Sequence, residues 1–180
     1  MREGEGMRVL LIIPAYNEEA NILRVIRRVR EYRETCPFRL DYVVINDGST
    51  DGTERVCLEN GIHHIRLLQN LGIGGAVQTG YLYAWKMGYD IAVQFDGDGQ
   101  HDLNSLPPLL EPVIQNRCDF CVGSRFVDRS SDFQSTPLRR LGIQYLSGLI
   151  RLLTGTKVTD PTSGFRAANR AVIRELADCY

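Results

Sequence analysis

The chain has 180 residues, of which 43% are hydrophobic and 24% charged, values that suit one globular domain with its own core. Its formal net charge is −1 and its pI about 6.3, whereas proteins that bind nucleic acid through the phosphates are strongly basic, so no nucleic-acid partner is predicted. No apolar run of the sequence approaches the ~20 residues that a membrane-spanning helix needs.

Short apolar runs alternate along the chain with longer segments in which apolar residues recur at helical spacing. The apolar runs predict strands at residues 8–13, 41–46, 64–68, 90–95 and 119–123. The helical spacing predicts helices at residues 18–33, 51–60, 74–87, 107–116, 138–153 and 169–179. Asn17 is the expected N-cap of the first helix and Thr50 or Asp51 that of the second, while Gly88 is expected to end the third.

Strands separated by helices imply right-handed crossovers and a mostly parallel sheet. We therefore predict an α/β fold, in which residues 7–180 form a single domain with a Rossmann-like sheet flanked by helices, after a disordered tail at residues 1–6. Ligands of such sheets bind beyond the carboxyl ends of the strands. The loops that follow the strands are therefore where functional residues are expected.

Four of those loops carry polar residues. They read Pro14-Ala-Tyr-Asn-Glu18, Asn46-Asp-Gly-Ser-Thr-Asp-Gly52, Asp96-Gly-Asp-Gly-Gln100 and Gly123-Ser-Arg125. Each of them alone is consistent with a turn or a helix cap. Because the carboxyl ends of parallel strands meet at one edge of the sheet, the four loops together indicate a binding site.

Asp96 and Asp98 are the most informative pair in these loops. Carboxylates this close repel each other, and each resists leaving water while ionised, so a cation is expected beside them. Mg²⁺ and Mn²⁺ prefer oxygen ligands, and Gln100 offers a neutral oxygen next to the two acids. The pair predicts a site for one of these ions, with a solvated Asp-Gly turn as the alternative.

The five cysteines show no regular pairing, which predicts a reduced, cytoplasmic setting. Cys118 and Cys121 match the C-x-x-C spacing that also occurs in zinc and redox sites. Residues three apart in a strand point to opposite faces, so we interpret both as buried apolar thiols.

Six motifs of the sequence occur in an order typical of one known family. They are Ile12-Ile-Pro-Ala-Tyr-Asn-Glu-Glu-Ala-Asn-Ile22, Val44-Ile-Asn-Asp-Gly-Ser-Thr-Asp-Gly-Thr53, Asn70-Leu-Gly-Ile-Gly-Gly-Ala76, Asp96-Gly-Asp-Gly-Gln100, Gly123-Ser-Arg-Phe126 and Asp160-Pro-Thr-Ser-Gly-Phe-Arg-Ala167. As a set they resemble the family-2 inverting glycosyltransferases of the GT-A fold, nearest to the dolichyl-phosphate and polyprenyl-phosphate mannose synthases. The resemblance spans residues 7–174.

This resemblance implies metal-dependent transfer of a sugar from a nucleoside-diphosphate sugar. Pro14, Tyr16 and Glu18 would hold the base and ribose of this donor, and Asp47 would hydrogen-bond the base. The residues that the resemblance assigns to the Mg²⁺ or Mn²⁺ ion and the diphosphate are Asp96, Asp98 and Gln100.

The acceptor implied by the resemblance is a polyprenyl phosphate, with a glycan hydroxyl as the alternative. Arg125 would lie near the donor or acceptor phosphate, while Asp160 and Arg166, the candidate catalytic residues, would line the acceptor side. A hydroxyl acceptor needs a general base, for which Asp160 is the candidate. A polyprenyl phosphate is already ionised and needs basic residues to hold it.

Two other functions stay open from the sequence. A sugar-phosphate nucleotidyltransferase also uses paired acids to hold a metal, and a catalytically inactive domain can keep the binding of a nucleotide sugar. Members of the family usually continue past the position of Tyr180, so the domain is expected to be truncated at its C-terminus.

The expected location is the cytoplasm, with peripheral contact at the inner face of the membrane as a further hypothesis. The predicted helix at residues 138–153 combines an apolar face with Arg139, Arg140 and Arg151, and a basic amphipathic helix can lie on an anionic surface. The alternative, which we favour, is a core-facing helix whose arginines are solvated.

Overall fold

The computed structural model describes residues 6–96, 102–123 and 163–178. Within these ranges the strands are β1 (Arg8–Ala15), β2 (Arg39–Asn46), β3 (His64–Arg66), β4 (Ile91–Gln94), β5 (Phe120–Val122) and β6 (Arg166–Asn169). The helices are α1 (Ile22–Arg33), α2 (Thr53–Glu59), α3 (Gly72–Met87), α4 (Leu106–Ile114) and α5 (Arg170–Asp178), with a 3-10 turn at Leu103–Ser105. The predicted helix at residues 138–153 and residues 1–5 of the predicted tail lie outside the described residues. None of the described helices is both long and apolar enough to span a membrane.

The described strands form one sheet in the order β3-β2-β1-β4-β6-β5. β1 pairs in parallel with β2 and β4, and β2 pairs in parallel with β3. The register places Ala15 beside Asn46 and Ile12 beside Gln94, so the loops after β1, β2 and β4 leave the sheet side by side. This arrangement confirms the predicted mostly parallel α/β sheet and brings three of the polar loops to one edge.

β6 was not predicted; it runs antiparallel between β4 and β5. Its sequence, Arg166-Ala-Ala-Asn169, is too short to show the alternation by which a strand is recognised. Ala167 and Ala168 are fully buried in the sheet. Pairing with neighbours that are distant in sequence, rather than a local pattern, therefore defines this strand.

The side chains of β1 alternate between two apolar cores, one on each face of the sheet. Val9 and Leu11 pack in the core shared with α1 and α4, whereas Leu10 and Ile12 pack in the core shared with α3 and α5. The predicted apolar stripe of α1 is confirmed, since its members all belong to the first core: Ile22, Val25, Ile26 and Val29. Burial on both faces explains why β1 reads as a continuous apolar run.

The start of α1 differs from the prediction, because the helix begins at Ile22 and Asn17 is not its N-cap. Residues 18–21 form a turn in which the amides of Asn21 and Ile22 donate to the Glu18 carbonyl at 3.0 and 2.9 Å. Asn17 adopts the left-handed conformation, with φ of 56°, and its side chain bonds the loop after β2 instead. The predicted end of α3 is confirmed, since Gly88 has a φ of 74°.

Cys118 and Cys121 do not point to opposite faces, so that prediction is wrong. Cys118 lies before the first residue of β5, and both side chains pack, partly buried, against the core shared with α1 and α4. Burial raises the pKa of the Cys121 thiol, and the neighbouring Cys118 thiol raises it further. Both are free thiols, which agrees with the interpretation that they serve as apolar packing residues.

Candidate active site

A cleft of about 240 Å³ opens where β1, β2 and β4 end. The described residues that line it are Pro14, Ala15, Tyr16, Glu18, Asp47, Ile73, Ala76 and Asp96. Five of these were predicted as site residues from the sequence: Pro14, Tyr16, Glu18, Asp47 and Asp96. The parallel register brings them together, because it aligns the ends of β1 and β2.

Four other predicted site residues, Asp98, Gln100, Arg125 and Asp160, lie outside the described residues, and their roles stay predictions. The wall that α3 contributes was not predicted. Ile73 and Ala76 line the cleft three residues apart at the start of that helix. The helical spacing of Ile73 and Ala76, whose intervening residues are both glycines, is the signal that indicates this wall.

Asp47 is a nearly buried acid, with only 3% of its surface exposed. Its Oδ1 accepts a hydrogen bond from the Leu71 amide at 2.7 Å, and its own amide donates to the Ala15 carbonyl at 2.9 Å. These bonds tie the loop after β2 to the end of β1 and to the segment that leads into α3. The carboxylate is thereby fixed in position at the wall of the cleft.

Asp96 follows the buried Phe95 at the exit of β4. The backbone of Gly164 lies against its carboxylate, since a Cβ built on Gly164 would come within 2.6 Å of Oδ1. Phe165 anchors this contact, because its ring meets that of Phe95 edge to face at 6.1 Å between centroids and its carbonyl accepts from the Gly123 amide at 2.8 Å. The segment before β6 therefore forms one side of the Asp96 site.

Arg166, a predicted catalytic residue, does not line this cleft but a second cavity of about 190 Å³ between α3 and α5. It lies opposite Gln94 in the pairing of β4 with β6, and its Nε donates to the Ser163 carbonyl at 2.7 Å. Tyr81 also lines this cavity. Burial raises the pKa of Tyr81 to about 12, although the Arg166 guanidinium acts in the opposite direction.

The cleft is acidic in the part of the chain that the structure describes. Glu18, Asp47 and Asp96 line it, and no lysine or arginine of the described residues does. Such a surface repels a free diphosphate, whereas it suits a diphosphate that carries a divalent cation. The described residues contain no cluster of three or more His, Cys, Asp or Glu side chains placed to hold a metal ion by themselves. An ion site at Asp96 would therefore need further ligands; Asp98 and Gln100, which lie outside the described residues, stay predictions for this role.

Residues 10–177 match the model of Glycosyl transferase family 2. The chain belongs to this family. Membership confirms the predicted family-2 glycosyltransferase.

Curated relatives of this glycosyltransferase include enzymes named for dolichyl phosphate and undecaprenyl phosphate. It is 33% identical to the UDP-N-acetylglucosamine–dolichyl-phosphate N-acetylglucosaminyltransferase of Methanococcus voltae, over 94% of this chain and 72% of the relative. It is 34% identical to the undecaprenyl-phosphate mannosyltransferase of Micrococcus luteus, over 94% of this chain and 70% of the relative. The polyprenol monophosphomannose synthase of Mycolicibacterium smegmatis is 32% identical, and the match covers 94% of this chain and 64% of that enzyme.

Solved structures confirm the predicted GT-A fold. Glucosyl-3-phosphoglycerate synthase from Mycobacterium tuberculosis, in complex with phosphoglyceric acid, superposes with a TM-score of 0.67 at 23% identity. The same enzyme in complex with Mn²⁺ and UDP-glucose gives a TM-score of 0.66 at 27% identity. These matches cover 93% of this chain, which spans less than three-fifths of those structures, 58% and 57% of their length.

Proposed function

We propose that this domain transfers a sugar from a nucleoside-diphosphate sugar to a polyprenyl phosphate, with inversion at the anomeric carbon and with the help of Mg²⁺ or Mn²⁺. The observation that carries the proposal is the acidic cleft at the ends of β1, β2 and β4, in which five predicted donor-site residues meet. The relatives that act on polyprenyl phosphates support the acceptor, and the structure with Mn²⁺ and UDP-glucose supports the donor and the ion. Membership of a glycosyltransferase family favours sugar transfer over nucleotidyl transfer.

The donor's base and ribose fit the part of the cleft between the ends of β1 and β2. Ala15, Ile73 and Ala76 provide an apolar wall for the flat face of a base, and Tyr16, about half exposed, lies at the surface of the cleft. One oxygen of Asp47 is occupied by the Leu71 amide, which leaves the other to accept an N–H group of the base. Glu18 is placed on the same loop as Tyr16, where its carboxylate can accept from ribose hydroxyls.

The divalent ion would be held by Asp96 together with Asp98 and Gln100. The oxygen chemistry of this set and the excess of acids in the cleft fit such an ion. When bound, the ion neutralises charge on the departing nucleoside diphosphate. Gly164 leaves room for the Asp96 carboxylate, because a Cβ at that position would occupy the space of the carboxylate.

Transfer then requires a nucleophile on the face of the sugar opposite the leaving group. A phosphate oxygen of the acceptor forms the new bond to the anomeric carbon while the bond to the nucleoside diphosphate breaks, and the diphosphate leaves with the electron pair. Such an acceptor is ionised before it binds, so no general base is needed. We assign Arg125 and Arg166 to holding phosphate and reserve the base role of Asp160 for a hydroxyl acceptor.

A product analysis tests the proposal. The protein is incubated with Mn²⁺, a polyprenyl phosphate and UDP-, GDP- or TDP-sugars, and products are identified by mass spectrometry and NMR. We expect a polyprenyl-phosphate sugar of inverted anomeric configuration together with a nucleoside diphosphate. Release of pyrophosphate, a product of retained configuration, or the absence of any sugar transfer would contradict the proposal.

A further inference from the structure

The loops after β1 and β2 are joined by hydrogen bonds that begin at Asn17. Its amide donates to the Ser49 Oγ at 3.0 Å, and its side-chain Oδ1 accepts from the Thr50 amide at 2.9 Å. The φ of 56° lets backbone and side chain of this one residue reach the opposite loop at the same time. Asparagine tolerates this left-handed conformation better than most residues.

Glu19 and Asp51 bond the two loops reciprocally. The Glu19 amide donates to Asp51 Oδ2 at 3.1 Å, and the Gly52 amide donates to Glu19 Oε2 at 3.0 Å. Arg55 adds an ion pair to Glu19 Oε1 at 2.8 Å. Position 52 has to be glycine for this geometry, because a Cβ there would overlap the Glu19 carboxylate.

Thr53 also joins the loop after β1 to the loop after β2. Its buried hydroxyl accepts from the Glu18 amide at 2.9 Å, and its own amide donates to Asp51 Oδ1 at 2.9 Å. Burial opposes the ionisation of Asp51, but the hydrogen bonds from Thr53 and from the Glu19 amide outweigh it and lower the pKa of Asp51. The Asp51 carboxylate is therefore ionised at neutral pH and accepts from both loops.

We call the group of Asn17, Glu19 and Asp51 the latch. It lies next to the cleft without forming its wall. Tyr16 and Glu18 alternate with latch residues along the first loop and do line the cleft. None of the three latch residues is among the described residues that line it. What the latch fixes is the position of Tyr16 and Glu18 relative to Asp47 on the second loop.

We propose that Asn17, Glu19 and Asp51 are positioning residues that order the donor cleft before the nucleoside diphosphate binds. The inference rests on the proposed function, since the cleft is taken to receive a nucleotide. Without the latch, the two loops have to be ordered when the ligand binds, and that cost lowers the affinity. The effect belongs to donor binding and not to the stability of the whole domain.

The test uses Asn17→Gly, which keeps the left-handed backbone but removes the side-chain acceptor. With Mn²⁺ present, we expect calorimetric titration with UDP, GDP and TDP to show binding of the preferred nucleotide weakened by roughly tenfold. Amide exchange at Thr50 and Gly52 should become faster. Asn17→Asp keeps an acceptor oxygen for the Thr50 amide and should restore affinity to within about threefold of the wild type.

Asn116→Gly is the matched control, because Asn116 also has a positive φ, 52°, but lies after α4. It should leave nucleotide affinity unchanged. If Asn17→Gly and Glu19→Ala both bind the nucleotide as tightly as the wild type, the latch proposal is wrong while the proposed function stands. If the wild type binds none of UDP, GDP and TDP, the proposed function fails, and the positioning role fails with it.

Discussion

The Asp96 carboxylate lies against Gly164 so closely that position 164 leaves no space for a side chain. Gly164→Ala should therefore turn the carboxylate away from its place in the cleft and weaken Mn²⁺-dependent nucleotide binding by about 10–100-fold, the range seen when the support of a metal ligand is lost. Titration of Mn²⁺ at a fixed concentration of nucleoside diphosphate measures the effect.

Gly80→Ala is the control for steric strain alone. A Cβ there would overlap the side chain of Ile12, which lies in the core shared with α3 and α5. This variant should lower the melting temperature through overpacking but keep the affinity for Mn²⁺ and nucleotide. Equal affinity of Gly164→Ala and wild type would show that Gly164 has no positioning role.

Individual residues also mark where prediction from sequence succeeded and failed. Asp47 and Asp96 could be predicted because they follow apolar strands directly, and the ends of such strands meet at one edge. The positive φ of Asn17 could not be predicted from the sequence, because it depends on hydrogen bonds to Ser49 and Thr50. These residues lie more than thirty positions away along the chain. The contact of Gly164 with Asp96 likewise depends on tertiary pairing.

Among the elements, α1 shows most plainly how periodicity produces a helix that stabilises the sheet. Ile26 is fully buried in its apolar stripe, whereas the neighbouring Arg27 is exposed. Ile26→Ala should lower the free energy of unfolding by about 2–5 kcal/mol, because it removes buried methyl groups and leaves a cavity. Urea denaturation measures the loss, and Arg27→Ala should stay within about 0.5 kcal/mol of the wild type. Similar values for the two variants would argue against the two-core packing.

α2 is connected to β2 and β3 by the Glu54 carboxylate. Glu54 accepts from the Asn46 side chain at 2.6 Å and lies 3.2 Å from His64 Nε2. Burial opposes ionisation of Glu54, but the bonds from Asn46 and His64 outweigh it and lower its pKa below the ordinary 4.5. Because the folded state has the lower pKa, the carboxylate stabilises the fold above pH 4.5, and this contribution is lost as the pH falls further.

Glu54→Gln tests this contribution. At pH 7 the variant should melt below the wild type, and the difference should narrow as the pH falls below 4.5. Thermal unfolding followed by circular dichroism over pH 3–7 measures both effects. Glu175→Gln, an exposed change on α5, should show no such trend. A constant difference between Glu54→Gln and wild type across this range would contradict the role of the Glu54 charge.

The order of elements was more predictable than the pairing of strands. Five strands and the glycine that ends α3 follow from local patterns, and each was found close to its predicted position. β6 escaped prediction because two alanines between polar residues carry no strand pattern until β4 and β5 pair with them. This strand and the segment before it bring Gly164 to Asp96 and place Arg166 opposite Gln94.

Across the whole molecule, α3 contributes to the walls of two cavities of the described residues, which the proposed sugar transfer would use together. The acidic cleft opens at the ends of β1, β2 and β4, and the cavity with Arg166 lies between α3 and α5. The segment 163–166 belongs to both, because Gly164 touches Asp96 while Arg166 lines the cavity. A net charge of only −1 shows that the acidity of the cleft is local rather than a property of the whole chain.

The central claim is that Asp96 helps to hold a divalent ion with a nucleoside diphosphate in the cleft. Calorimetric titration of the wild type, Asp96→Asn and the exposed control Asp178→Asn with UDP, GDP and TDP, each with and without Mn²⁺, tests it most directly. We predict that the wild type and Asp178→Asn bind one of these nucleotides only when Mn²⁺ is present, and that Asp96→Asn binds it at least about tenfold more weakly. Binding that does not depend on Mn²⁺, or equal affinity of Asp96→Asn and wild type, would contradict the claim.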